Sequence, residues 1–108
     1  MHLNHYQEAT KSTAIYNEEV ALIYTTLGLV SEAGEVADKV KKAIRDHESV
    51  IDDDRIEMIA LELGDVMWYV ARIADTLGLN LEYVAEKNLE KLSSRRDRDA
   101  IKGSGDVR

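Results

Sequence analysis

The sequence contains no cysteine and no proline. Without thiols there are no disulfides, no thiolate nucleophile, no iron–sulfur cluster and no thiolate zinc site. Without proline, long helices are unobstructed and nothing demands a kink. Histidine is scarce: His2, His5 and His47, two of them at the extreme N-terminus, argue against a histidine-rich metal site. No uninterrupted run approaches the ~20 apolar residues of a membrane span. The opening residues MHLNHYQEATKS lack the apolar stretch of a signal peptide. The expectation is a soluble, cytoplasmic protein with no membrane partner. Basic charge is also short, with 14 Lys and Arg against 21 Asp and Glu and a net charge of −7. That balance argues against nucleic acid as a partner, because attraction to phosphate backbones needs a basic field. The glycine-rich phosphate cradles GxxxxGK[ST] and GxGxxG are missing, as is any Ser/His/Asp constellation.

What remains is a chain of 108 residues, 44% hydrophobic and 32% charged. That is one domain with enough apolar content for a core. A domain this small buries roughly 60–70% of its unfolded surface, and self-association is a way to bury more. Alternating β-branched runs are absent, and the spacing predicts an all-α fold of four helices. A short helix covers Leu3 to Ser12 with Tyr6 and Ala9 on one face, and Thr13 to Glu18 connects it onward. A long helix covers Glu19 to Asp46, its apolar positions Leu22, Leu29, Ala33, Val36 and Val40 recurring at three- and four-residue steps. Gly28 and Gly34 inside it weaken it by about 1 kcal/mol each relative to alanine, and such glycines often mark a close approach.

The charged segment HESVIDDD leads to a third helix, Arg55 to Leu77, capped by Asp52, Asp53 or Asp54. Ile56, Ile59, Leu63, Val66, Val70, Ile73 and Leu77 form its stripe, and Gly78 ends it. Asn80 caps a fourth helix, Leu81 to Ser94, with Leu81, Val84, Ala85, Leu89 and Leu92 inward. Residues 93–108 hold five basic and three acidic side chains, a net of +2, which leaves −9 on the other 92. The division expected is a helical domain over 1–94 and a basic, glycine-containing tail over 95–108.

The informative feature is two acidic pairs, Glu32 with Glu35 and Glu62 with Asp65, each spaced i, i+3 on one helix face. On a helical wheel both pairs border the apolar stripe. A single pair of this kind is ordinarily a solvated face. Two pairs beside apolar stripes on consecutive long helices point to acids that face each other. Such acids repel and lose hydration, so each takes up a proton or needs a counter-charge. Carboxylates without His or Cys select hard cations, Mg²⁺ or Mn²⁺. A di-iron bundle would instead need Glu-x-x-His on two helices.

Lys87, Lys91 and Arg95 lie at i, i+4, i+8, with Asn88 beside them. They suit phosphate oxygens, or they are the ordinary cationic end of a helix. Tyr69 sits on the carboxylate face, where it contacts a base or sugar or simply packs. Trp68 reads better as core or subunit packing. Lys39, four residues after Glu35, reaches a phosphate or pairs with Glu35. Tyr16 and Tyr24 have no reading from spacing, and His47 reads as exposed.

GLVSEAGEVADKVKK, ELGDVMWYVARIADTLGL and KNLEKLSSR together resemble the MazG-like nucleoside triphosphate pyrophosphohydrolases of the all-α NTP pyrophosphatase superfamily, over about Tyr6 to Arg108. The resemblance implies a four-helix, bundle-like unit that assembles as a homo-oligomer, dimer or tetramer. It implies Mg²⁺-dependent hydrolysis of a nucleoside triphosphate to the monophosphate and pyrophosphate, as house-cleaning or pool control. Glu32, Glu35, Glu62 and Asp65 match the family's metal ligands and catalytic acids. Lys87, Asn88, Lys91 and Arg95 fall at phosphate- and sugar-contacting positions, and Tyr69 at a nucleotide-contacting one. The alternatives are a phosphoribosyl-ATP pyrophosphohydrolase-like enzyme and a non-catalytic oligomeric scaffold binding a structural cation.

Overall fold

The computed structural model of the chain describes residues 1–107; Arg108, counted above with the basic tail, lies outside the described residues. Helix α1 spans Leu3–Thr10 and runs on into a 3₁₀ turn, Lys11–Thr13. A second turn, Glu18–Val20, leads into α2, Ala21–Asp46; α3 is Asp53–Thr76 and α4 is Leu81–Asp97. The fold is all-α, with no strand among the described residues.

The helix ends follow from local chemistry. Asp52 accepts a hydrogen bond from the Arg55 backbone N–H at 2.9 Å, and Asn80 accepts one from the Tyr83 N–H at 2.8 Å. Each such cap contributes about 1 kcal/mol. Gly78 takes the left-handed conformation, φ 75°, that lets Leu79 N–H return to the Ala74 carbonyl and stop α3. Helix α4 continues three residues beyond the expected Ser94, so Arg95 and Arg96 are helical.

Helices α2 and α3 pair antiparallel along their length. Lys39 lies opposite Arg55 and Glu62, and Gly28 lies opposite Tyr69. Ala43 and Ala71 are fully buried, and small side chains at such points let helix backbones approach. Helix α1 packs across one end of this hairpin through polar groups. The Gln7 amide donates to the Leu79 carbonyl at 2.9 Å and its oxygen accepts from the Leu81 N–H at 2.9 Å. One buried side chain thus fixes α1 against the α3–α4 turn, with each bond worth about 1 kcal/mol net. The expected face of α1 needs correcting: Gln7 and Thr10 are buried, Tyr6 is half-buried and Ala9 is exposed.

The apolar stripes are only partly covered within one chain. Leu89 and Leu92 of α4, expected inward, are exposed, as are Leu22, Ala33 and Val40 of α2, Ile56 and Leu63 of α3, and Leu77 just after it. A two-helix hairpin buries one seam, and α4 meets α3 and α1 without closing over the rest. The radius of gyration is 16.7 Å, against about 13 Å for a compact domain of about 100 residues. Leu27, Val30, Leu61 and Leu89 are each about two-thirds or more exposed.

Candidate metal centre and its surroundings

The α2–α3 seam carries the acids. Glu62 and Asp65 are one turn apart on α3 and share the face that meets Glu32 on α2. One oxygen from each of Glu32, Glu62 and Asp65 lies within 4.8 Å of the others. Glu32 and Glu62 are half-buried and Asp65 is exposed. Burial raises the Glu32 carboxyl above its ordinary range, and Asp65, a hydrogen bond with Glu62, and Glu35 push it further the same way. Glu35 itself is exposed and stands outside this trio.

Lys39 does not pair with Glu35. Its ammonium lies 3.5 Å from Glu62 across the seam, with both side chains 18% exposed. When all three acids are ionised, this one cation leaves two negative charges in the cluster. A divalent cation balances that remainder, and a donor set of carboxylate oxygens without imidazole or thiolate favours a hard one. The residues present therefore fit a Mg²⁺ or Mn²⁺ ion.

The cluster opens into a cavity of about 360 Å³ lined by Thr13, Glu32, Asp65, Trp68 and Tyr69. Trp68, read from sequence as packing, is part of this wall, and its indole N–H donates to the Thr13 hydroxyl at 2.8 Å. The Tyr69 ring lies against Gly28, where a methyl group would overlap it, so Gly28 is the close approach foreseen inside α2. Gly34 has open space around it. Tyr16 stacks on Tyr24 with centroids 5.2 Å apart and meets Trp68 edge-on at 6.2 Å; Trp68 meets Tyr69 edge-on at 4.9 Å. Buried Arg72 donates to the Tyr16 hydroxyl at 3.1 Å and to Asp75 at 3.0 Å, which holds this aromatic wall from behind. The Tyr69 hydroxyl titrates above its ordinary value, through burial first, then a hydrogen bond with Tyr24, then the nearby acids. Thr13, Tyr16 and Tyr24 were missed from sequence. They reach the site through tertiary packing, and only the adjacency of Trp68 to Tyr69 signalled an aromatic wall.

The α4 cations Lys87 and Lys91 line a different cavity from the one that Glu32 and Asp65 line. Lys87 pairs with Glu90 at 3.4 Å and sits over the Tyr83 ring. Lys87, Asn88 and Lys91 line an open cavity with Tyr83 and Val84. Lys91 pairs with Asp106 at 3.2 Å, and Arg95 bonds to the Gly105 carbonyl and to Asp106. His47 is exposed, as expected.

Residues 20–99 match the family model of the MazG nucleotide pyrophosphohydrolase domain. The chain is also similar to the Gene 37 protein of Mycobacterium phage L5, with 49% identity over 114 residues that cover the whole of both chains. No solved structure gives a significant match.

Proposed function

The chain belongs to the MazG nucleotide pyrophosphohydrolase family, and we propose on that premise that it hydrolyses a nucleoside triphosphate to the monophosphate and pyrophosphate. The observation that carries this reading is the under-neutralised trio Glu32, Glu62 and Asp65, of which Glu32 and Asp65 line an aromatic-walled cavity. These three residues would hold Mg²⁺, with Mn²⁺ as a substitute. When bound, such an ion offsets triphosphate charge and lowers the pKa of a coordinated water.

The chain's own residues do the rest. Glu35, the acid left outside the trio, accepts the proton of the attacking water. The water oxygen forms a bond to the α-phosphorus as the bond to the bridging oxygen of the β-phosphate breaks, and pyrophosphate leaves. Lys87, Lys91 and Arg95 hold phosphate oxygens and Asn88 supplies a two-sided hydrogen-bond partner. Tyr69 and Trp68 flank the nucleoside. Lys39 keeps Glu62 oriented.

The exposed faces around Leu27, Val30, Leu61 and Leu89 support a homo-oligomer, dimer or tetramer, in which a second copy covers them and brings α4 cations to the acids. By length and mean hydropathy the segment Glu18–Asp46 would suffice to cross a membrane. Glu32 and Glu35 in its middle oppose that, since a charge at the bilayer centre costs roughly 2.5–3.5 kcal/mol. A cytoplasmic enzyme acting on free nucleotides, without nucleic acid or membrane partner, accords with the net charge of −7.

The test is pyrophosphate release from a panel of Mg²⁺-bound canonical, deoxy and damaged nucleoside triphosphates, with Glu62→Ala alongside. Turnover by the parent protein and its loss in the variant is the expected result. Equal rates in both, or no release from any nucleotide, would refute the reading, and release from phosphoribosyl-ATP alone would redirect it.

A further inference from the structure

The end of α4 is closed by the chain's own C-terminus. Beyond Asp97 the backbone turns at Asp99, which is left-handed at φ 53°, and the Ala100 N–H returns to the Arg95 carbonyl. Gly103 and Gly105 also take positive φ, 127° and 83°, conformations that side chains resist and that let the tail double back. The tail thereby covers Arg95, whose side chain is only 5% exposed. The cover is incomplete in hydrogen bonds. One terminal nitrogen of Arg95 reaches the Gly105 carbonyl at 3.3 Å and Asp106 at 3.5 Å, while its buried Nε has no partner among the described residues. Asp106 also takes Lys91 at 3.2 Å, yet its own side chain is 84% exposed.

A buried guanidinium with an idle donor is under-satisfied, since its fork is built for two parallel bonds to one oxyanion. A single solvent-exposed carboxylate fills that role poorly, and ion pairs of this kind are weak. We propose that Lys91 and Arg95 form a polyphosphate-binding site which residues 98–106 strap shut, with Asp106 as a built-in stand-in for a phosphate that an incoming polyphosphate displaces. This rests on the reading of the α4 cations as the phosphate-holding surface, and it adds regulation to that surface. The strap reduces apparent affinity by the fraction of time it is closed, so only a ligand carrying several charges opens it efficiently.

The test uses inorganic tripolyphosphate as the probe, without metal, on the full chain. Backbone hydrogen exchange over residues 98–106 is followed with and without the anion, and binding is titrated calorimetrically. Tripolyphosphate should speed exchange in the strap several-fold. Asp106→Asn should exchange fast without the anion and bind it about two- to fivefold tighter, the worth of an exposed ion pair. Asp106→Glu, which keeps the carboxylate, should behave as the parent does. Asp97→Asn removes the same unit of charge from a residue that pairs with Arg96 outside the strap, and should leave affinity unchanged. Unchanged or increased strap protection in the bound state, equal affinity in Asp106→Asn, an equal gain in Asp97→Asn, or no binding at all would each overturn the proposal. The nucleotide panel keeps the two readings separate. Strap opening without any turnover would leave this site standing and remove the enzyme; turnover with an unmoved strap would do the reverse.

Discussion

At the α2–α3 seam three carboxylates share the single ammonium of Lys39, whereas at the end of α4 Lys91 and Arg95 are supplied with a carboxylate by the chain itself. The first cluster is short of positive charge, and burial first, then the neighbouring acids, raise the Glu32 carboxyl above its ordinary range. The second shows the reverse, with Lys91 first and Arg95 next pulling the Asp106 carboxyl below its ordinary range. One region is rich in negative charge and the other has its anion in place. On the proposed function, a Mg²⁺-bound nucleoside triphosphate brings both signs of charge and would engage both.

The sharpest way to break the contrast is at the acids. Asp65→Asn and Glu62→Ala should each lower the rate of pyrophosphate release on the order of 10²–10³-fold, the usual cost of losing a group that stabilises developing charge. Circular dichroism should show their helices intact. Next in size is assembly. Leu27→Glu or Leu61→Glu puts a charge on a face that one chain leaves bare. Light scattering should then report a smaller particle than the parent, with nucleotide turnover falling alongside.

Glu32→Gln separates function from folding. Removing one of three crowded charges should raise the metal-free melting temperature by a few degrees while weakening Mg²⁺ binding. The pH dependence follows from the direction of the shift. A carboxyl with a raised folded-state pKa costs stability when ionised, so the penalty is full above that pKa. It fades as pH falls through it, and is gone below the ordinary carboxylate value. The gap in melting temperature between variant and parent should therefore shrink between pH 7 and pH 4. The smallest effect belongs to the helix cap far from this chemistry. Asp52→Ala should cost about 1 kcal/mol in urea unfolding with turnover preserved.

Much of the fold was legible because helix signals are local. The 3.6-residue period, the caps Asp52 and Asn80 and the stop at Gly78 each act within a turn of themselves. The two acidic pairs were legible for the same reason, since i, i+3 spacing fixes a helix face without tertiary knowledge, though only three of the four acids come together. What could not be read depends on how faces meet. Glu35 shares a face with Glu32 yet stands off the seam, and Lys39 reaches across to Glu62 instead of along its own helix. Gln7 looks like a solvent residue of an amphipathic helix, and only the position of the α3–α4 turn makes it a buried anchor. Leu89 and Leu92 carry a core pattern whose cover is missing from the single chain. Trp68 gave no hint of its hydrogen bond to Thr13, because 55 residues separate them.

On the proposed function Glu32, Glu62 and Asp65 hold a hard divalent cation. Titration of Mn²⁺ into the nucleotide-free protein, followed by electron paramagnetic resonance, tests it without relying on turnover. A bound ion that Mg²⁺ displaces, and that disappears in Glu62→Gln and Asp65→Asn, is the predicted result. Equal Mn²⁺ binding by parent and both variants would contradict it.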